Sequence, residues 1–288
     1  MIWPVLAVLT AFLESLKEIF SKVGLRKNVD EYITSWSLRF FSLLLLLPLL
    51  LFIKIPHLNN SFWIALSTGG TLNIITTILY MKAIKNSDLS AIMPITAFTP
   101  LFMLITSPII LHEFPNIYGL LGIILIVFGS YILNLKERHK GFLAPFKALV
   151  RENGPRLMLI VAFIWSITSN IDKIGVRSSS PIFWVTANGI FLAITLLPIM
   201  LLKSKKSIKN IPANLKTLIP IGIFSGLGGI AQMTAINLTL VAYVVSIKRM
   251  SAIISVLFGH FFFKEKNIRE RLIGAAIMIA GVLFITLS

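Results

Sequence analysis

The sequence predicts an all-α membrane protein of ten transmembrane helices, arranged as two inverted five-helix repeats. Three observations carry this. The 288 residues are 56% hydrophobic and only 13% charged, with a mean hydropathy of +0.89, more apolar than a water-soluble core requires. Apolar runs recur along the whole chain, each long enough, at about 20 residues, to cross a hydrocarbon layer of roughly 30 Å. Finally, Met81, Ala83, Ile84, Ile95, Glu113, Leu120, Gly122 and Gly129 return without a gap as Met233, Ala235, Ile236, Ile247, Glu265, Leu272, Gly274 and Gly281. An internal repeat in a hydrophobic chain is characteristic of proteins with a site at the repeat interface.

The runs fall at 3–24, 34–53, 61–83, 88–111, 116–135, 157–176, 181–202, 217–236, 241–263 and 271–287. They leave no room for a soluble domain. No small-residue cleavage site follows the first, so it reads as a retained helix rather than a signal peptide. The first repeat is 1–135, a basic linker 136–156, and the second repeat 157–288. In the linker Phe142, Leu143, Phe146, Leu149 and Val150 alternate with Lys147 and Arg151, which suits a short amphipathic helix on an anionic leaflet or a plain solvated connection. The chain has no cysteine, which excludes disulfides and thiolate metal sites. No metal or cofactor is expected.

Net charge is +16. In a soluble protein that would point to nucleic acid, but here the cations lie in loops between spans and no nucleic-acid partner is expected. Counting loops from the N-terminus, the odd ones hold most of the Lys and Arg, among them Arg26, Lys82, Arg138, Lys205 and Arg269. The even ones hold little beyond Lys54 and Arg177. That bias puts the odd loops in the cytoplasm and both termini outside, in a multi-pass plasma-membrane (cell inner membrane) protein. The basic loops are the first and third of one half but the second and fourth of the other, as halves of opposite orientation require.

Spans five and ten carry Gly122/Gly129 and Gly274/Gly281, each pair two turns apart on one face, suited to close helix packing or to a dimer seam. Span four holds Pro94, Pro100 and Pro108, each of which invites a kink. Span nine has no proline. Span eight is loosened by Gly222, Gly226, Gly228 and Gly229.

A charge inside a span costs several kcal/mol and so marks a functional candidate. Glu14 lies roughly 16 Å into the first span, near the midplane. A carboxylate buried there becomes a weaker acid, able to take up and release a proton near neutral pH. Glu18, one turn on, reads either as a second coupling carboxylate or as the neutralising partner of Lys22. Lys248 and Arg249 sit side by side in span nine, about 100° apart around the helix. Their long stems could snorkel to the headgroups, but a guanidinium fork beside an ammonium also suits a carboxylate or phosphate. Arg39 reads as an interfacial anchor, and Asp172 and Lys173 as a mutual pair. Asn73, Tyr80, Asn188, Gln232 and Tyr243 are polar groups in or beside spans, able to orient a substrate or to bridge helices. Catalysis is not indicated: His112-Glu113 lacks a second His at metalloprotease spacing, and no nucleophile–base spacing recommends itself.

With these residues in view, the chain is identified as a member of the drug/metabolite transporter superfamily, EamA type. The resemblance rests on K-V-G-L at Lys22–Leu25, K-I-G-V at Lys173–Val176, L-R-F at Leu38–Phe40, and the E…G…G of Glu113–Gly129 and Glu265–Gly281. It implies an alternating-access carrier of small molecules without cofactors. Glu14 with Lys22 is similar to the first helix of the small multidrug-resistance proteins, whose membrane Glu exchanges protons for substrate. The position equivalent to Glu14 in the second half is Trp165, so such coupling would be asymmetric. S-I-K-R-M-S-A-I-I-S-V from Ser246 resembles the ninth helix of the sugar-phosphate/phosphate translocators, which implies that Lys248 and Arg249 bind a substrate anion. The family also implies cytoplasmic termini, against the loop count. The expectation is export or exchange of a small, carboxylate- or phosphate-bearing metabolite. A lipid-linked sugar flippase or flippase subunit is the alternative, and a non-transporting membrane scaffold the third reading. The glycine faces leave a homodimer open.

Overall fold

The computed structural model describes residues 2–26, 29–86, 93–134, 152–205, 207–254 and 268–288. Among them there is helix and no strand. The α-helices are α1 (Trp3–Arg26), α2 (Glu31–Leu49), α3 (Asn60–Asn86), α4 (Phe98–Leu111), α5 (Ile117–Asn134), α6 (Asn153–Arg177), α7 (Pro181–Lys203), α8 (Leu215–Leu238), α9 (Val241–Lys248) and α10 (Ile268–Thr286). Among the described residues, five segments are long and apolar enough to span a membrane: Glu31–Phe52, Asn60–Tyr80, Asn153–Arg177, Pro181–Lys203 and Pro212–Leu238. Shorter apolar helices occupy Ile95–Leu111, Ile117–Ile132 and Ile273–Thr286. α1 matches the spans in length, at 24 residues, but carries Glu14, Lys17, Glu18 and Lys22. Ile105 and Ile194 are exposed in mid-helix, positions that lipid rather than water would shelter. The amphipathic linker pattern at 142–151 lies outside the described residues, and α6 begins at Asn153, four residues before the expected span.

The chain divides into two compact units, with boundaries inside α3 and α6. One takes Ile2–Ile74 and Ile171–Leu238, the other Ile75–Asn170 and Thr239–Ser288.

In the first unit α1 runs antiparallel along α8. A Cβ on Gly228 would sit 3.5 Å from Leu13, and a Cβ on Gly24 3.5 Å from Thr217. Phe20 meets Phe224 between them, with ring centroids 5.6 Å apart. α2 presses its backbone onto α8, where a Cβ on Gly222 would lie 2.6 Å from the carbonyl carbon of Phe41. The glycines of span eight thus admit α2 at backbone distance. Ile33, Phe41, Met200, Leu218 and Ile221 fill the core there. On the other face of α2, Trp36 donates its indole N–H to the Ala193 carbonyl of α7 at 3.1 Å. Trp184 of α7 is buried against Gly175, whose missing side chain leaves the indole its space.

In the second unit α5 and α10 cross on their glycines. A Cβ at Gly122 would lie 2.6 Å from the Gly281 carbonyl oxygen, and one at Gly129 2.6 Å from that of Gly274. The pairing is antiparallel and exchanges equivalents: Gly122 meets the counterpart of Gly129, and Gly129 meets the counterpart of Gly122. Contacts of this kind arise when two copies of one motif are related by a two-fold axis. These glycine faces are therefore taken up within the chain rather than left for a dimer seam.

Candidate functional site

The charged and polar groups of the spans divide between the units. Glu14, Glu18, Asn73, Asn188 and Gln232 belong to the first, and Tyr80, Tyr243, Lys248 and Arg249 to the second.

In the first unit Glu14 is half-buried and pairs with Lys17 one turn along α1. Arg39 of α2 lies within the electrostatic reach of Asp172 on α6 and, more weakly, of Glu14. Arg39 thus has acidic groups near it from two other helices. Asp172 is fixed in turn, accepting the Trp184 indole N–H at 3.0 Å. Two carboxylates and two cations offset one another in this cluster, which lowers the cost of holding ionised groups inside the spans. Asn73 lies one turn beyond Gly69 and Gly70, which receive the side chains of Ile171 and Phe191. The Asn188 side-chain oxygen is buried with no hydrogen-bond partner among the described residues. Gln232 is half-buried, one turn beyond Gly228 on α8. Glu18 is exposed, and the side chain of Lys22, its expected partner, lies outside those described.

In the second unit the described residues depart from α-helical bonding at two places. Met93–Ala97, which contains Pro94, forms a 3₁₀ segment leading into α4, while Pro100 and Pro108 lie within the α-helix. Adding 152 to 93–97 gives 245–249; of these, Val245–Lys248 remain α-helix, and α9 gives way at Arg249. Arg249 N–H bonds to the Ser246 carbonyl at 3.0 Å, Met250 N–H to that of Ile247 at 2.9 Å, and Ala252 N–H to that of Arg249 at 3.1 Å. These bonds span three residues and have the 3₁₀ pattern. The uninterrupted ninth span expected from the sequence is therefore broken at Arg249–Met250, with helix resuming at Ser251. Val241–Ile247 are all buried, while Lys248 and Arg249, at the break, are half-buried. Tyr243 packs where a side chain at Gly119 would stand. Tyr80 lies against Trp165, with ring centroids 5.7 Å apart.

Two features escaped the sequence. The first is a buried network joining α4 to α6. Asn170 donates to Thr106 Oγ1 at 3.1 Å and to the Ser166 carbonyl at 2.7 Å, and accepts from Ser107 Oγ at 2.8 Å. Asn170, in the middle of an apolar run, was its only visible signal. The second is the work done by the repeated glutamate. α4 ends on His112, in the left-handed conformation at φ 56°, which turns the chain so that buried Glu113 accepts the Val241 N–H at 3.1 Å. Glu113 thereby caps the N-terminus of α9, the helix that ends at Lys248 and Arg249. Glu113→Ala, which strands a buried N–H, is expected to cost about 1–2 kcal/mol. Glu113→Gln keeps an acceptor and should retain most of that stability. Melting temperatures of the two variants in detergent check this, and equal losses would count against the cap.

Helices of membrane length, with ionised groups held within them, define an α-helical multi-pass membrane protein. Residues 1–135, and again 153–287, match the EamA-like transporter family. The chain belongs to that family, and is a membrane transporter of the drug/metabolite transporter superfamily. A protein of known crystal structure, 15% identical, superposes with a TM-score of 0.75 over 98% of this chain and 96% of its own. At that identity the likeness is one of fold. No curated protein matches the chain.

Proposed function

We propose that the protein is a proton-coupled, alternating-access carrier that exports or exchanges a small metabolite bearing a carboxylate or phosphate across the plasma membrane. The carrying observation is the place of Lys248 and Arg249, half-buried where the helix of the ninth span gives way. Backbone that leaves the helical ladder at membrane depth is tolerated where it is buried or lines a cavity, and broken helices form the sites of many carriers. A guanidinium fork and an ammonium there suit an oxyanion. In this reading the chain crosses the membrane ten times, as two inverted halves of five spans. The exchange of glycine partners between α5 and α10 supports the inversion. Glu14, and Glu18 one turn on, supply the proton step. Asn73, Tyr80, Asn188, Gln232 and Tyr243 orient the rest of the solute, and the buried acceptor of Asn188 awaits an N–H or O–H.

The test is a thermal-shift panel on the purified protein in detergent, with organic acids, amino acids, sugar phosphates, nucleotide sugars and a polyprenyl phosphate. A ligand that binds only the folded state stabilises it by about 2.7 kcal/mol at a hundredfold excess over Kd. One anion class is expected to raise the melting temperature saturably, and Lys248→Ala/Arg249→Ala to lose that rise relative to its own baseline. A rise confined to neutral solutes and kept by the variant would overturn the anion reading. A rise with polyprenyl phosphate alone would make the protein a lipid-linked sugar flippase.

A further inference from the structure

The segment between α7 and α8 is folded. Ser207 N–H bonds to the Ser204 carbonyl at 2.8 Å, Asn210 N–H to that of Ser207 at 3.0 Å, and Asn214 N–H to that of Ile211 at 3.0 Å. Two short 3₁₀ turns, Ile208–Asn210 and Pro212–Asn214, complete a cap over one end of the unit. Its underside is apolar, with Ile208, Ile211 and Leu215 packed on the core of Ile33, Met200 and Leu218. Lys203, Lys205, Lys209 and Lys216 are all exposed on it. The carboxylates at this end open α2: Asp30 accepts the Ser204 hydroxyl and the Tyr32 N–H, and Glu31 follows in the first turn. Asp30 is thus already engaged, and the four ammonium groups outnumber these two carboxylates. Leu201 and Leu202, immediately before the lysines, are 44% and 80% exposed.

We propose that this cap is a docking surface for the headgroups of anionic phospholipids. The cations stand at the end of a membrane-length helix, where headgroup phosphates lie, and each lysine near such a surface strengthens association about fivefold. The leucines beside them offer a surface for an acyl chain, which a soluble anion lacks. A lipid supplies both halves of the recognition. Because its apolar underside is buried, the cap holds its lysines in place, so anionic lipid stabilises the folded protein by mass action. This inference is independent of the transported solute.

The test uses the full chain in nanodiscs of phosphatidylcholine, with or without one third phosphatidylglycerol. Phosphatidylglycerol is expected to raise the melting temperature by a few degrees. The fourfold variant Lys203→Gln/Lys205→Gln/Lys209→Gln/Lys216→Gln should lose most of that rise, and the matching Lys→Arg variant should keep it. Inorganic phosphate added to phosphatidylcholine discs should do nothing. An undiminished rise in the Gln variant overturns the proposal, as does reproduction of the effect by phosphate. If the Gln variant melts lower in phosphatidylcholine alone, the preference of spin-labelled phosphatidylglycerol for the folded protein at low temperature decides. It should drop at least fivefold in the Gln variant, and an unchanged preference overturns the proposal.

Discussion

Valine at Gly122 is expected to leave the spans inserted but to part α5 from α10, at a cost of roughly 3 kcal/mol or more. The added Cβ would stand 2.6 Å from the Gly281 carbonyl oxygen and 2.9 Å from the Ile285 backbone nitrogen. Backbone cannot swing aside as a side chain can, so the helices themselves must separate. Gly281→Val meets the same obstacle from the other side, 2.7 Å from the Gly122 carbonyl oxygen. Insertion of each helix depends on its hydropathy, whereas association in lipid depends on close packing, so the loss falls on the second step. Gly228→Ala is the contrast. Its new Cβ would meet only Leu13, at 3.5 Å, and alanine is a better helix former than glycine by up to about 1 kcal/mol. It should be neutral or stabilising. Unfolding in detergent compares the three variants. Similar stabilities for Gly122→Val and Gly228→Ala would mean that the glycine crossing does not hold this unit together.

Hydropathy made most of the helices legible, because membrane length is a property of composition along the chain. The spacing of seven between glycines was legible for the same reason, since it follows from helix periodicity alone. Which glycine meets which was not, because the pairing of Gly122 with Gly281 and of Gly129 with Gly274 exists only in three dimensions. The departure from α-helical bonding at Met93–Ala97 announced itself through Pro94. The one at Arg249–Met250 did not, because S-I-K-R-M-S-A contains neither proline nor glycine. There the chain tightens to 3₁₀ bonding among residues that are ordinary helix formers, and tertiary packing of the buried stretch Val241–Ile247 overrides local preference. The acidic neighbours of Arg39 were hidden for a related reason. Its neighbours in sequence are apolar, while the carboxylates that act on it, Asp172 and Glu14, come from other helices. Ser107 and Thr106 could not be singled out, since serine and threonine are common in spans and often bond only to their own helix. Here their partner is Asn170.

Glu14→Gln is expected to abolish the accumulation of substrate driven by a pH gradient while leaving substrate exchange in place. Glutamine keeps the shape and hydrogen-bonding capacity of glutamate but carries no exchangeable proton at neutral pH. Under the proposed mechanism the binding groups on α9 are untouched, so counterflow persists and only its link to protons is lost. The same substitution has a structural effect that must be separated from this one. Lys17 loses its ion-pair partner and Arg39 loses one of two carboxylates. With the Glu14 and Lys17 side chains only about a fifth exposed, that imbalance is worth on the order of 2 kcal/mol. Glu14→Gln/Lys17→Met removes both members of the pair and should recover much of the lost melting temperature. It should not recover coupling, because under the proposed mechanism the proton step needs Glu14 as well as Glu18. Proteoliposomes loaded with the anion that the ligand panel identifies, assayed with and without a pH gradient, distinguish the two effects. Gradient-driven uptake that survives in Glu14→Gln would reduce Glu14 to a counter-ion for Lys17 and Arg39. Uptake restored in the double variant would show that charge balance, rather than proton exchange, was what the carrier needed at this position.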